Sequence, residues 1–177
     1  MAREIEANDP VVTRLTEPLE SLRDATGETV ILGALQGNAV VYLLVLESPQ
    51  IVRYTARAGE QKPLHSSSIG KALLGAMPDD ALTDWLRDNA LPRVTGRTIT
   101  SSRRLRKDLE DARRRGYYVT RGENVVDVMA IAAPLAGEPG PLGIAVAGPM
   151  HRMAAAEGRH AAQLLQTTKT IEERARG

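Results

Sequence analysis

Three consecutive serines, Ser66-Ser67-Ser68, lead into Ile69-Gly70-Lys71 and a short apolar stretch closed by Pro78. Two chemistries suit this run. A serine-lined helix N-terminus presents free backbone N–H groups and the positive end of the helix dipole. Together these receive a small anion such as a carboxylate. The alternative is acyl transfer, because Ser68 and Lys71 stand in the S-x-x-K spacing, where a lysine one turn on activates the serine. The partner patterns S-D-N and K-T-G are missing from the chain. Anion reception is therefore the favoured reading, and Lys71 is expected to be a surface lysine beside the binding loop.

The other reactive residue types form weaker patterns. His65, His151 and His160 are the only imidazoles, and neither H-E-x-x-H nor a comparable zinc spacing occurs. His65 borders the serine run and suits a hydrogen bond that fixes the loop. Glu123 and Asp127 could form an acid–base pair, but two carboxylates in a loop entering a strand are expected to be solvated or capping groups. Gly137, Gly140 and Gly143 do not spell G-x-G-x-x-G. His65 and Ala72 occupy the positions that a phosphate-binding G-x-x-x-x-G-K-[ST] loop would need as glycine and hydroxyl. No cofactor is expected.

Composition narrows the class further. A chain of 177 residues fits one domain. It has no cysteine, which excludes disulfides, thiolate catalysis and Cys-ligated metals and fits a reducing, cytoplasmic setting. No stretch nears the ~20 apolar residues of a membrane span, and MAREIEANDP has no apolar signal core. The net charge is +1, so the chain as a whole lacks the basic excess of a nucleic-acid binder. The segment from Arg93 to Arg121 is nevertheless basic. Asp108, Glu110 and Asp111 interrupt it, no aromatic residue interleaves Arg97–Arg115, and phenylalanine is absent from the chain. A solvated helix face is the expectation there.

The elements that must position these residues follow from periodicity. Val12, Leu15, Leu19 and Leu22 predict a helix from Pro10 to Thr26 that stops at Gly27. Thr29–Leu35 and Ala39–Leu46 predict a hairpin, and Ile51–Ala58 a third strand in which Val52, Tyr54 and Ala56 share a face. Helices are predicted over Ser68–Met77 and Asp80–Asn89, the second capped by Asp79, and after Ser101 or Ser102 as far as Gly116. In the third of these Leu105, Leu109 and Ala112 form the buried stripe. Strands follow at Tyr117–Thr120, Val125–Pro134 and Leu142–Ala147, with a turn at Gly137–Gly140. A single long helix spans Met150 to about Arg174. Strands grouped in blocks argue for an α+β domain with a mostly antiparallel sheet.

With these elements in order, the chain resembles the effector-binding domain of the IclR family of bacterial transcription regulators. The likeness is carried by TGETVILGALQGNAVVYL (Thr26–Leu43), RAGEQKPLHSSSIGKALLGAMP (Arg57–Pro78), RTITSSRRLRKDLEDARRRGYYV (Arg97–Val119), GENVVDVMAIAAPL (Gly122–Leu135) and GIAVAGPMHRM (Gly143–Met153). The resemblance implies a single GAF-like domain over residues 1–177. Its sheet would be curved, mostly antiparallel, of about six strands, flanked by helices and carrying a small-molecule pocket. It also implies a non-enzymatic sensor that meets DNA only through an N-terminal winged helix-turn-helix domain missing from this chain. The helix at residues 10–26 would follow the linker from that domain. Homodimers or homotetramers are implied, and no membrane partner.

The pocket residues that the resemblance implies are Tyr54, Ser66, Ser68, Ile69, Gly70, Thr120, Val128, Ala130, Ala145 and Ala147, with the backbone N–H groups of Ile69 and Gly70. Members that bind small polar keto acids are expected to carry acid, thiol or hydroxyl groups where Thr120, Ala130, Ala145 and Ala147 stand here. A roomier, more apolar chamber is therefore expected, suited to an aromatic or branched aliphatic carboxylate, since apolar burial stabilises by ~25 cal/mol per Å². Asp127 stands where the family often has glycine, so it could alter the pocket mouth or meet an arginine across it. Two other readings stay open: a hydrolase or acyltransferase using Ser68 and Lys71, and a ligand-free GAF-like dimerisation module.

Overall fold

The computed structural model describes residues 8–137 and 140–177. Asp9 caps the first helix, α1 (Pro10–Thr26), its carboxylate accepting from the Val11 N–H at 3.1 Å. Strands β1 (Thr29–Gln36) and β2 (Ala39–Leu46) form the expected hairpin. The next strand, β3 (Gln61–Pro63), departs from the expectation at Ile51–Ala58. That segment forms no strand: Ile51 and Val52 face solvent, 94% and 68% exposed. Its alternating pattern has no ladder partner to lie against: the chain first meets β2 where Gly59 and Glu60 bond the Tyr42 backbone, and ladder pairing begins only at Gln61.

Helices α2 (Ser68–Gly75), α3 (Asp79–Asp88) and α4 (Ser102–Arg115) follow. Asp79 is the first residue of α3 and not its cap, because Pro78 precedes it and supplies no side-chain hydrogen bond. Ser101 caps α4, its hydroxyl accepting from the Arg104 N–H at 3.3 Å. Leu105, Leu109 and Ala112 are buried, while Arg113 and Arg114 outside that stripe pair with Asp79 and Asp111 at the surface. Strands β4 (Tyr118–Arg121), β5 (Val128–Leu135) and β6 (Leu142–Pro149) complete the sheet. The turn expected at Gly137–Gly140 has its two middle residues outside those described. The C-terminal helix is two helices, α5 (Met150–Ala155) and α6 (Glu157–Arg176), divided at Ala156.

All six strands form one antiparallel sheet in the order β3-β2-β1-β6-β5-β4. Helices cover both faces, so the fold is α+β with a curved sheet between two helical layers. Alternation sorts the side chains sharply. On the back face Val30, Leu32, Met129, Ile131, Ile144 and Val146 pack under α1, α5 and α6. On the front face the same strands present Gly33, Ala130, Ala132, Gly143, Ala145 and Ala147 toward α2. The front of the central sheet is therefore built from small residues, and it becomes the floor of the site.

The back face also holds a buried imidazole. His160 is 2% exposed. Burial first, then the charge of Arg159, holds its pKa below the ordinary histidine value, against a weaker opposing pull from Glu28. The unfolded chain thus takes up a proton near pH 6.5 that the folded chain refuses. Stability should be steady above that pH, fall as pH drops below it, and level off once folded His160 protonates. Urea midpoints measured from pH 7.5 to 5 check this, and His160→Gln should flatten the decline.

Candidate functional site

The middle serine builds the start of α2. Ser67 sits in extended backbone, and its Oγ accepts from the Gly70 N–H at 3.2 Å. The same hydroxyl donates to the Pro63 carbonyl at 2.6 Å, which ties the helix to β3. Ser67 is thus the cap, a role not assigned from sequence. Gly70 gives its N–H to that cap and cannot offer it to a ligand. A Cβ at Gly70 would overlap the Leu64 carbonyl oxygen and Cα, so only glycine lets the helix start this close to the preceding turn. The N–H groups of Ser68 and Ile69 belong to the first turn, where no helical acceptor exists.

The side chain of Ile69 points away from the chamber and into the core. It rests on Gly33 and Gly143, which pair across β1 and β6. A Cβ at Gly143 would stand 2.8 Å from Ile69 Cγ2, so this glycine pair sets how closely α2 approaches the sheet.

One cavity lies between the N-terminus of α2 and the front of the sheet. Of the expected residues, Tyr54, Ser68, Thr120, Val128, Ala130, Ala145 and Ala147 line it. Ile31, Tyr42, Ser67, Asn124 and Val125 join them. Ser66 is fully buried outside the lining, and its hydroxyl meets Asn124 Oδ1 at 3.4 Å. No lining residue carries a formal charge. The hydroxyls of Ser68 and Thr120, each on a residue 5% exposed, have no hydrogen-bond partner among the described residues. Both are free to donate to an occupant beneath α2.

The chamber is narrow. At water radius its volume is about 30 Å³, against the 10–15 Å³ that one water needs. The roomier pocket expected from the alanines is not found. Tyr42, Tyr54, Ile31 and Val125 border the space that small floor residues leave free. Burial, and then the neighbouring Tyr54, pushes the Tyr42 phenol above its ordinary pKa, so it stays protonated and remains a donor.

Lys71 is not at the surface. It is 0% exposed, and its ammonium group donates to Asp108 Oδ2 at 2.7 Å, Glu123 Oε1 at 2.6 Å and the Val119 carbonyl at 3.1 Å. An ammonium has three N–H donors and no acceptor. All three are committed, so Lys71 has no lone pair with which to activate Ser68. Glu123 is correspondingly buried, and it also accepts from the Arg121 N–H at 2.8 Å. The expectation of a solvated carboxylate fails there because its partner arrives from α2, 52 residues away.

These bonds fix the loop Gly122–Asp127, which supplies Asn124 and Val125 to the cavity wall. Thr95 and Thr98 hold it from outside, donating to the Gly122 and Glu123 carbonyls at 2.6 and 2.7 Å. Asp127 ends the loop in the left-handed region, φ 62°, with its side chain exposed. It forms no ion pair with an arginine among the described residues, and its carbonyl accepts from the Met150 N–H at 2.7 Å. The opposite rim carries Tyr54 and is held by Arg152, which pairs with buried Glu28 and donates to the Val52 carbonyl at 2.8 Å. His65 hydrogen-bonds the Pro92 carbonyl at 2.8 Å and lies outside the cavity lining. Among the described residues no cluster of histidines and carboxylates is placed to hold a metal ion. No described helix is long and apolar enough to cross a membrane.

Residues 6–173 match the family model described as bacterial transcriptional regulator IclR C-terminal. The HTH-type transcriptional regulator BhcR of Paracoccus denitrificans is 42% identical over 147 residues, covering 81% of this chain and 52% of that protein. The chain spans about half the length of the curated relatives it matches. Among solved structures, Thermotoga maritima IclR superposes with a TM-score of 0.87 at 26% identity, covering 94% of this chain and 69% of the other. An IclR homologue from Microbacterium hydrocarbonoxydans, solved with 4-hydroxybenzoate, gives a TM-score of 0.82 at 26% identity, covering 99% and 72%.

Proposed function

This chain belongs to the IclR family of bacterial transcriptional regulators, and from that premise we propose that its chamber binds a small aliphatic or aromatic carboxylate and does not transform it. The observation that carries the reading is the pair of unpartnered hydroxyls, Ser68 and Thr120, beside the first turn of α2 in an uncharged chamber. The N–H groups of Ser68 and Ile69, the helix dipole and the two hydroxyls hold the carboxylate. The apolar floor takes the rest of the acid. An acid too large for the chamber as it stands enters by displacing the loop Gly122–Asp127 or the Tyr54 rim. The 4-hydroxybenzoate in the Microbacterium homologue supports an aromatic acid, and the narrow cavity supports a short aliphatic one. Acyl transfer has lost its base, since Lys71 is fully engaged.

In the proposed mechanism, occupancy biases two conformations by the difference in the acid's affinity for them. The output is DNA binding by an upstream winged helix-turn-helix domain in a cytoplasmic dimer or tetramer. A thermal-shift screen with pyruvate, isobutyrate, benzoate and 4-hydroxybenzoate tests the binding step. A bound acid at 100 times its Kd stabilises by about 2.7 kcal/mol, a rise of roughly 5–11 °C for a domain of this size. Ser68→Ala should abolish the rise while leaving the unliganded Tm nearly unchanged. No rise with any carboxylate would overturn the reading.

A further inference from the structure

A cleft on the back of the domain shares no lining residue with the chamber. It lies where the end of α1 and the start of β1 meet α5 and the first turn of α6, and its volume is about 610 Å³ at water radius. Arg152, Arg159, His151 and His160 line it, and Glu28 is the one carboxylate among the described lining residues. Arg152 and Glu28 neutralise each other, since the guanidinium donates to both carboxylate oxygens. Arg159 is exposed and forms no ion pair among the described residues, so its charge is uncompensated.

Two buried polar atoms beside the cleft have no hydrogen-bond partner among the described residues, His160 Nδ1 and Gln163 Oε1. Three positions apart on α6, they are neighbours on the helix surface. Buried polar atoms in folded proteins are nearly always satisfied. His160 is 2% exposed and lines the cleft. Its Nδ1 is enclosed, so the ring turns its Nε2 edge to the cleft, and that nitrogen is unbonded as well. A neutral imidazole has one N–H and an imidazolium two. Charging the ring gives Gln163 Oε1 a donor and offers the other to the cleft. The charge of Arg159 opposes that step in the free chain, and an anion seated against both groups reverses the sign. The start of α6 adds to the same potential. Ala156 at its N-cap has no capping side chain, so the N–H groups of Glu157, Gly158 and Arg159 have no helical acceptor and the dipole end stays positive.

We propose that this cleft is a second binding site, for a phosphate group, free or as a small monoester, held by the Arg159 guanidinium, the His151 ring and the Nε2 edge of His160. A phosphate brings about three acceptor oxygens and nearly two negative charges, which suits donors that arrive from several directions. A carboxylate has only two oxygens to offer. Val52, Pro149 and Ala155 form an apolar side of the cleft that receives the carbon skeleton of an ester. The site stands independently of the carboxylate reading.

Calorimetry in phosphate-free buffer near pH 7.5 tests this, with inorganic phosphate, glycerol 3-phosphate and glycerol as probes. At least one phosphate probe should bind, one per chain, and glycerol should not. Arg159→Ala should weaken binding by about tenfold or more, through loss of a charge-assisted pair. The residue is exposed, so the variant should keep the parent's Tm. At saturation the NMR signals of the His160 ring should move to those of the protonated form, and His160→Gln should remove most of the affinity. Tighter binding of glycerol 3-phosphate identifies an ester as the ligand, and equal binding identifies phosphate alone. Failure of both phosphate probes to bind overturns the inference, as does binding that Arg159→Ala and His160→Gln leave untouched. Phosphate binding that Ser68→Ala removes would lie in the chamber and overturns it too. None of these results bears on the carboxylate screen, which tests the chamber by itself.

Discussion

Lys71→Met is expected to destabilise the domain by about 3 kcal/mol, a fall of roughly 6–12 °C in Tm for a chain of this size. The substitution removes the cation and leaves Glu123 and Asp108 behind. The Glu123 side chain is 11% exposed and that of Asp108 is 35%, so Glu123 carries most of the penalty and solvent relieves Asp108. A buried charge stripped of its partner is worse than no charge at all. Lys71→Met combined with Glu123→Gln should therefore be more stable than Lys71→Met alone. Chemical denaturation of the two variants decides this, and a single variant with unchanged stability would show that the pairs contribute nothing. The loss should extend to binding, because Glu123 anchors the loop that supplies Asn124 and Val125 to the chamber wall.

Gly70→Ala is expected to be at least as damaging, about 3 kcal/mol or more, by a different route. The new methyl meets backbone atoms of Leu64, which have no rotamer to escape into. The first turn of α2 must shift, and the cap from Ser67 shifts with it. Carboxylate binding should fall more steeply than stability, since the displaced N–H groups belong to the proposed cradle. Gly96→Ala, where an added methyl meets nothing within 4 Å, serves as the control and should stay within about 0.5 kcal/mol of the parent. Retention of carboxylate affinity in Gly70→Ala would show that the helix start is not where the acid is held.

The sequence made some elements plain and concealed others for physical reasons. α1 and α4 were legible because each carries a repeating apolar stripe together with a cap or a stop, and β2 because its unbroken apolar run follows the turn Gln36-Gly37-Asn38. Ile51–Ala58 misled because alternation reports a preference for extended backbone and says nothing about a partner strand. β3 was hidden because three residues are too few to show any period. The break at Ala156 was hidden because Ala154–Ala156 favour helix and only Gly158, two residues on, speaks against it.

Ala130, Ala145 and Ala147 were named through the family resemblance, and strand alternation is the physical reason that all three share the face under α2. Tyr42, Asn124 and Ser67 were missed because their roles depend on what faces them. Ser67 and Ser68 are neighbours of one type, yet backbone geometry makes the first a cap and leaves the second free. Lys71 was misread because its carboxylate partners lie 37 and 52 residues downstream. The run of three serines announced a polar helix start, but only the turn from β3 determines which hydroxyl reaches the cavity.

The two-residue rhythm of the strands divides the labour of the sheet. In β5 and β6, odd and even positions answer to different demands: bulky aliphatics behind hold the domain together, and alanines in front shape what it admits. A methyl or hydroxyl added at Ala130, Ala145 or Ala147 alters the tenant without disturbing the foundation. A protein organised this way can change its chemical taste in single steps while its architecture stays still.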